Sequence, residues 1–345
     1  MTNNIVYGLD IAKTIFQVYG QHTEGRCVSD KRLSRKQLLD YFSRQERGIV
    51  GIEACMTAHY WSRELTKLGY QVKLIAPEKV AAYRQGQKND RNDAMAICEA
   101  IQRPNMRFVA VKTAEQQAVL AIHKARSLVI KQRVELSNSM RALLLEFGFA
   151  LPCGVNVLVS RLNGILEDAD NDLPSLVRSL LDSMKERLLD LEVQKKAYEH
   201  QLSSWHKQNE MSQRLATIPG VGLLNATALV STIGDIRTFK NARSLSAYLG
   251  LVAKQHSSGE KQRLMGITKR GNAYVRSLLV HGARSVIRQC KLKMERGVET
   301  GQPWLEACLQ RMHVNKACVA LANKMARTAW ALWNHGEDYR APAMI

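Results

Sequence analysis

Apolar positions recur along this chain with two different periods, and the change of period divides it. Over the first ~110 residues, short apolar runs alternate with turn residues. Residues 5–10, 14–19, 27–33, 49–53 and 71–75 read as strands, the last ending before Pro77. Between them, 35–44 places Leu38, Leu39 and Phe42 at helical spacing, 57–68 reads as a second helix, and short helices follow from Glu78. Beyond this point the period lengthens. Residues 115–147 and 174–206 are long, polar-rich and helical, with little Gly or Pro. In the second stretch Leu181, Met184, Leu188, Leu191, Tyr198, Leu202 and Trp205 fall at alternating three- and four-residue steps, interrupted at Lys195. This heptad seam predicts either a coiled coil or a long helix packed on its own domain. The stretch 148–174, rich in Pro, Gly, Asn and Asp, reads as their connection. From 211 onward the chain is mostly helical with two glycine-marked loops, and the tail after Trp333 is short and polar.

The predicted division is therefore an α/β domain at 1–115, long helices at 116–210 and an all-α domain at 211–345. Three strands, helix, strand, helix, strand, helix is the order of a ribonuclease-H-like domain. Fold alone does not give function, so the chemistry must come from particular side chains.

Charge narrows the partner. The 345 residues carry 50 Lys+Arg against 31 Asp+Glu, a formal net charge of +19, with a pI near 9.8. With 46% hydrophobic residues the chain can build real cores. The excess positive charge points to a polyanion, most simply nucleic acid, bound in a salt-dependent way. A membrane partner is not expected: no apolar run approaches the ~20 residues of a span, and the start MTNNIVYGLDIAK is not a secretory signal. Seven scattered cysteines without a CxxC pair favour reduced thiols in a cytoplasmic compartment and argue against zinc.

Four carboxylates stand out against this basic background. Asp10 and Glu53 each end an apolar run. Asp90 and Asp93 open a helical stretch one turn apart, within Lys88-Asn89-Asp90-Arg91-Asn92-Asp93-Ala94. Singly, each reads as a turn, cap or first-turn acid. As a set they read as a metal site, because converging carboxylates need a cation and hard oxygen ligands suit one or two Mg²⁺ ions. A second motif, Ile218-Pro219-Gly220-Val221-Gly222-Leu223, is similar to the hairpin of a helix-hairpin-helix module. There Gly220 and Gly222 would let backbone N–H groups approach a phosphate, although an ordinary helix–helix turn has the same residues. A third, Lys254-Gln255-His256-Ser257-Ser258-Gly259-Glu260-Lys261-Gln262-Arg263, sets hydroxyls among Lys254, Lys261, Arg263, Lys269, Arg270 and Arg276. Such a hydroxyl can attack phosphorus, with His256 taking its proton or binding phosphate. A non-catalytic nucleic-acid-binding loop is the alternative reading.

In this order the three motifs resemble the insertion-sequence 110 family of transposases, in particular its IS1111-type branch, with Piv-type DNA invertases as relatives. The resemblance covers nearly the whole chain and rests on GLDIAK around Asp10, IEAC around Glu53, KNDRNDA around Asp90 and Asp93, IPGVG at 218–222 and HSSGEKQRLMGITKRGN at 256–272. It implies a RuvC-like domain whose DEDD quartet matches Asp10, Glu53, Asp90 and Asp93, a coiled-coil insertion for subunit contacts, and a helical transposase domain whose nucleophile matches Ser258. This chain has Cys55-Met56 where the family often has Gly, and Val252-Ala253 where it often has Pro; neither change removes a ligand or nucleophile.

The implied mechanism is Mg²⁺-assisted attack by Ser258 on DNA, giving a phosphoserine and a free 3′-hydroxyl, followed by strand exchange. The implied partners are donor and target double-stranded DNA and a structured guide (bridge) RNA. A homo-oligomer is also implied, a dimer or tetramer, in the bacterial cytoplasm and at the nucleoid. Because acids and serine fall in different segments, the active site could combine two subunits. The other readings are a RuvC-like junction nuclease using water, and a non-catalytic RNA/DNA-binding scaffold.

Overall fold

The computed structural model describes residues 5–258 and 261–340. The three segments expected from sequence group into two compact units, Met1–Gln117 with Thr232–Thr238, and Ala118–Ser231 with Phe239–Ile345.

The first unit contains β1 (Ile5–Ile11), β2 (Ile15–His22), β3 (Cys27–Ser34), α1 (Leu38–Arg44), β4 (Ile49–Glu53), α2 (Ala58–Lys67), β5 (Gln71–Ile75), α3 (Pro77–Val80), α4 (Asp90–Ala100) and β6 (Phe108–Val109). They build one mixed sheet of order β3-β2-β1-β4-β5-β6. β1, β2 and β3 form an antiparallel meander, β4 and β5 run parallel to β1, and β6 returns antiparallel. The side-chain period of two sorts β1 between two cores. Tyr7 and Leu9 pack with Phe16, Leu38, Phe42 and Trp61. Val6 packs with Ile75, Ala94 and Ile97 on the opposite face. Helices thus cover both faces, which is why the central strands read as unbroken apolar runs.

The position of α4 is set by two glycines that are partners in register, Gly8 of β1 and Gly51 of β4. A Cβ on Gly8 would lie 1.9 Å from the Ala94 carbonyl oxygen, and one on Gly51 2.6 Å from Ile101 Cγ2. Only bare backbone lets the helix lie this close to the sheet.

The second unit is built from α5 (Ala114–Glu146), α6 (Val155–Glu167), α7 (Ser175–Gln208), α8 (Glu210–Ala216), α9 (Leu223–Ile233), α10 (Ala242–Tyr248), β7 (Ala253–Gln255), β8 (Leu264–Ile267), α11 (Ala273–Glu295), α12 (Pro303–Arg311) and α13 (Val314–His335). The heptad seam of α7 is filled by this same chain. Leu181 and Leu188 are buried with Met140 and Leu144 of α5 and Leu158 and Leu162 of α6. Arg126–Glu199 and Arg133–Glu192, both 2.6 Å, join α5 to α7. One residue of each pair climbs seven positions while its partner descends seven, so the helices run antiparallel. The stretch 148–174 is more than a connection, because Leu158 and Leu162 give α6 a buried face. The long helices and the C-terminal helices form one unit, with His123 of α5 hydrogen-bonded to Thr227 of α9 and Tyr274 of α11. Among the described residues, no helix is long and apolar enough to cross a membrane. All seven cysteines are free thiols, and Cys98, Cys290, Cys308 and Cys318 are buried.

Candidate active site

Sheet register brings the first two acids together. Leu9 pairs with Ile52 across the parallel β1/β4 ladder, so Asp10 and Glu53 occupy the next step on neighbouring strands. Strand spacing separates their backbones by roughly 5 Å. Both lie at carboxyl ends of parallel strands, the edge where open α/β sheets bind ligands. Asp10 shares the parity of Gly8 and Glu53 that of Gly51, so both acids face the side of the sheet that carries α4. The N-cap of α4 is Asn89, whose side chain accepts from the Asn92 N–H at 2.8 Å. Asp90 and Asp93 stand in its first turn, where the exposed N–H groups favour negative charge.

The four acids interact electrostatically. Burial raises the Asp10 carboxyl from its ordinary 3.8 to about 6, and Asp93, Asp90 and Glu53 add to the rise. Burial and then Asp93 also raise Glu53, while Lys88 and Arg84 oppose the shift. Arg84 Nη1 donates to Asp93 Oδ1 at 3.0 Å, in a half-buried pair. In this arrangement, among the described residues, no three Asp, Glu, His or Cys side chains converge into a group that could hold a metal ion. The set is thus a loose cluster of mutually repelling carboxylates with one acid, Asp93, already paired to a cation. Sequence reasoning missed Arg84, which lies outside any periodic segment. It also missed Gly8, whose position inside a strand signals close backbone approach.

The serine motif is a β-hairpin rather than an irregular loop. The β7/β8 ladder continues toward its tip, with the His256 N–H donating to the Arg263 carbonyl at 2.9 Å and Ser258 and Lys261 exchanging backbone hydrogen bonds at 3.2 and 3.3 Å. Residues directly opposite on antiparallel strands, and residues two apart along one strand, project to the same face. His256, Ser258, Lys261 and Arg263 therefore share a face, all exposed. Gly259 and Glu260 lie outside the described residues. Lys254 is exposed at the start of the hairpin, beside a register shift in β7.

The remaining basic residues divide. Lys269 and Arg270 are exposed on the loop that leads to α11, with Lys269 at φ +56°. Arg276 is turned inward, its guanidinium donating to the carbonyls of Leu249 and Arg270 at 3.0 and 2.9 Å. It pins the loop to the end of α10. Asn272 caps α11 by accepting from the Val275 N–H. In the α8–α9 turn, Gly220 is at φ +85°, and a Cβ there would meet the Gly282 oxygen and Met325 at 2.9 Å. Its lack of a side chain has an internal cause, the packing of α11 and α13. Gly222 is exposed with open space around its Cβ position.

Residues 7–149, which include all four acids, match a DEDD transposase domain, and residues 212–299, which include the serine hairpin, match the transposase IS116/IS110/IS902 family. A probable family 20 transposase of Pseudomonas aeruginosa is 42% identical over 96% of this chain and 98% of its own length. The transposase for insertion sequence element IS1111A of Coxiella burnetii is 41% identical, over 98% of this chain and 92% of its own. The chain belongs to the IS110/IS116/IS902 family of transposases. The transposase for insertion sequence element IS1328 of Yersinia enterocolitica, 38% identical over 97% of this chain, is a further relative. This transposase is therefore an enzyme that acts on DNA, with a mixed α/β N-terminal unit consistent with a DEDD nuclease-like domain.

Proposed function

We propose that this transposase cuts and rejoins DNA through Ser258, with a divalent cation held by Asp10, Glu53, Asp90 and Asp93. The observation that carries the serine reading is the hairpin face on which Ser258 stands beside Lys261, with His256 and Arg263 two residues further along each strand on the same face. The Ser258 hydroxyl oxygen attacks the scissile phosphorus. Its proton passes to His256, the P–O3′ bond breaks, and the 3′ oxygen leaves and is protonated to a hydroxyl. The 5′-phosphate remains on the serine until a second 3′-hydroxyl displaces it. Lys261 and Arg263 supply the positive charge that a transferring phosphoryl group requires.

The acids fit a cation by their donor chemistry: an oxygen-only set in which burial, and then repulsion from Asp93, Asp90 and Glu53, raises Asp10 to about 6. When bound, Mg²⁺ would polarise the phosphate and neutralise charge developing on it. In the RuvC-like reading of the first unit, α4 carries half the acids and Gly8 and Gly51 set its height above the sheet. Sequence choice is assigned to a structured guide RNA that pairs with donor and target duplexes, while the protein grips backbone and shape. The subunit contacts of a dimer or tetramer are assigned to the α5–α7 region. Its buried seam leaves Leu176, Leu180, Leu189 and Val193 of α7 exposed.

Trapping the covalent adduct tests this reading. With duplex DNA, guide RNA and Mg²⁺, the protein is expected to yield an SDS-resistant protein–DNA adduct. Ser258→Ala should retain DNA and RNA binding and yield none. Asp10→Asn should lower cleavage by about 10³-fold, since losing several kcal/mol of transition-state stabilisation costs a factor of ten per ~1.4 kcal/mol. Cleavage without an adduct would instead identify a water-using junction nuclease, and a normal adduct from Ser258→Ala would remove the serine from the mechanism.

A further inference from the structure

The serine hairpin has a second face, and it borders a large groove of the second unit. Leu264 pairs with Gln255, one step out of phase with the pair formed by His256 and Arg263, so it projects away from the serine face. Leu264 and Met265 are 69% and 53% exposed, large apolar side chains without cover. They form one wall of a groove of about 1250 Å³, whose opposite wall is α13. That volume exceeds the ~300–1,000 Å³ of ordinary small-molecule pockets. Lys316, Lys324 and Arg327 of α13 line it, and no acidic residue does so among the described residues. None of these three cations is in an ion pair among the described residues. Along the helix, Lys316 and Arg327 are about 16 Å apart at 1.5 Å per residue. Trp304, 37% exposed, stands in the same groove with Lys324 Nζ 4.4 Å from its ring centre.

Unpaired cations above an apolar floor fit one class of occupant. A duplex presents phosphates on its outside and leaves Leu264 and Met265 unused. A single strand presents phosphates to the cations and base faces to the apolar and aromatic side chains. We infer that this groove binds an unpaired DNA strand next to the phosphate attacked by Ser258. This rests on the proposal that Ser258 acts on DNA. Leu264 is three residues from Lys261, the partner of Ser258, so the groove opens about 10 Å from the serine along the strand. The groove would hold the few nucleotides that unpair when the duplex is opened for cutting and exchange.

The test is binding of the full-length protein to a short fluorescein-labelled oligothymidylate, followed by anisotropy across a salt series. The combined variant Lys316→Gln, Lys324→Gln, Arg327→Gln is expected to bind about tenfold or more weakly. Its log–log salt slope should fall by about 2, the value for three lost single-strand phosphate contacts. Trp304→Leu should also bind about tenfold more weakly but keep the wild-type slope, and Trp304→Tyr should restore affinity through its ring. Duplex DNA of the same length should lose less than threefold with each variant. Unchanged oligothymidylate affinity, or an equal loss for duplex or for oligouridylate, would overturn the inference. The measurement involves no bond breaking, so it is independent of the adduct assay: either result stands if the other fails.

Discussion

Asp10 destabilises the fold that holds it. Its native carboxyl titrates near 6 against an ordinary 3.8, because burial and three neighbouring acids disfavour the anion. The neutral acid is therefore favoured in the native state. The associated stability is fully present below pH ~3.8 and is lost as pH rises through ~6. Two pH units correspond to ~3 kcal/mol, which solvent screening at this partly exposed site reduces to about 1 kcal/mol. Asp10→Asn is accordingly expected to melt a few degrees higher than the wild type at pH 7 and to flatten stability between pH 4 and 6. Mg²⁺ should raise the melting temperature of the wild type and leave that of the variant nearly unchanged. A variant that melts lower than wild type at pH 7 would mark Asp10 as a structural residue. At this scale the sequence was legible where a side chain's role is local. Asp10 and Glu53 end apolar runs, and Asp90 and Asp93 open a helix. It was not legible where the role depends on distant chain: Arg84 meets Asp93, Arg276 turns onto Leu249, and Gly220 meets Gly282.

Among elements, strands and long helices followed the apolar period closely, because burial on defined faces imposes that period. The exceptions are short or exposed. β6 has two residues, too few to show alternation, and β7 and β8 are three and four residues long and almost wholly exposed, so neither carries a buried face that would mark a strand. α6 was hidden by the turn residues that flank it. The heptad of α7 was plain, yet its partner was not, since a seam records that a helix is covered and not by what. The joint between α5, α9 and α11 was equally invisible. His123 is 1% exposed, with Nδ1 2.9 Å from the Tyr274 hydroxyl and Nε2 3.0 Å from Thr227 Oγ1. Burial, aided by Arg126, lowers its pKa from 6.5 to about 4. The neutral ring is thus favoured in the native state, and its stability contribution is present above pH ~6.5 and lost as pH falls through ~4. This slope is opposite in sign to that of Asp10. His123→Ala is expected to lose about 2–4 kcal/mol, through two hydrogen bonds and a cavity. Denaturant unfolding at pH 7 and pH 5 checks both features: the difference between wild type and variant should be smaller at pH 5. An equal difference at both pH values would show that the native His123 ring titrates as it does in the unfolded chain, with no depression of its pKa.

For the whole molecule, the charge was readable from composition, and its meaning depends on where the cations stand. The net charge of +19 is not spent internally: outside the α13 groove, Lys240, Arg243, Lys254, Lys261, Arg263, Lys269 and Arg270 are exposed on the second unit. A surface of this kind binds phosphates by releasing counterions, so affinity falls steeply with salt. If six or more of these groups face the backbone of one duplex, affinity should fall by about 10³-fold between 50 and 200 mM salt. The measurement is nonspecific duplex binding by the full-length protein, followed by fluorescence anisotropy. Replacing Lys261 and Arg263 by Gln should lower the log–log slope by about 2 and weaken different duplex sequences equally, because phosphate contacts carry no base information. A loss confined to one sequence would mean that the hairpin reads bases. A fall of less than tenfold across the salt range would mean that the positive charge is not directed at nucleic acid.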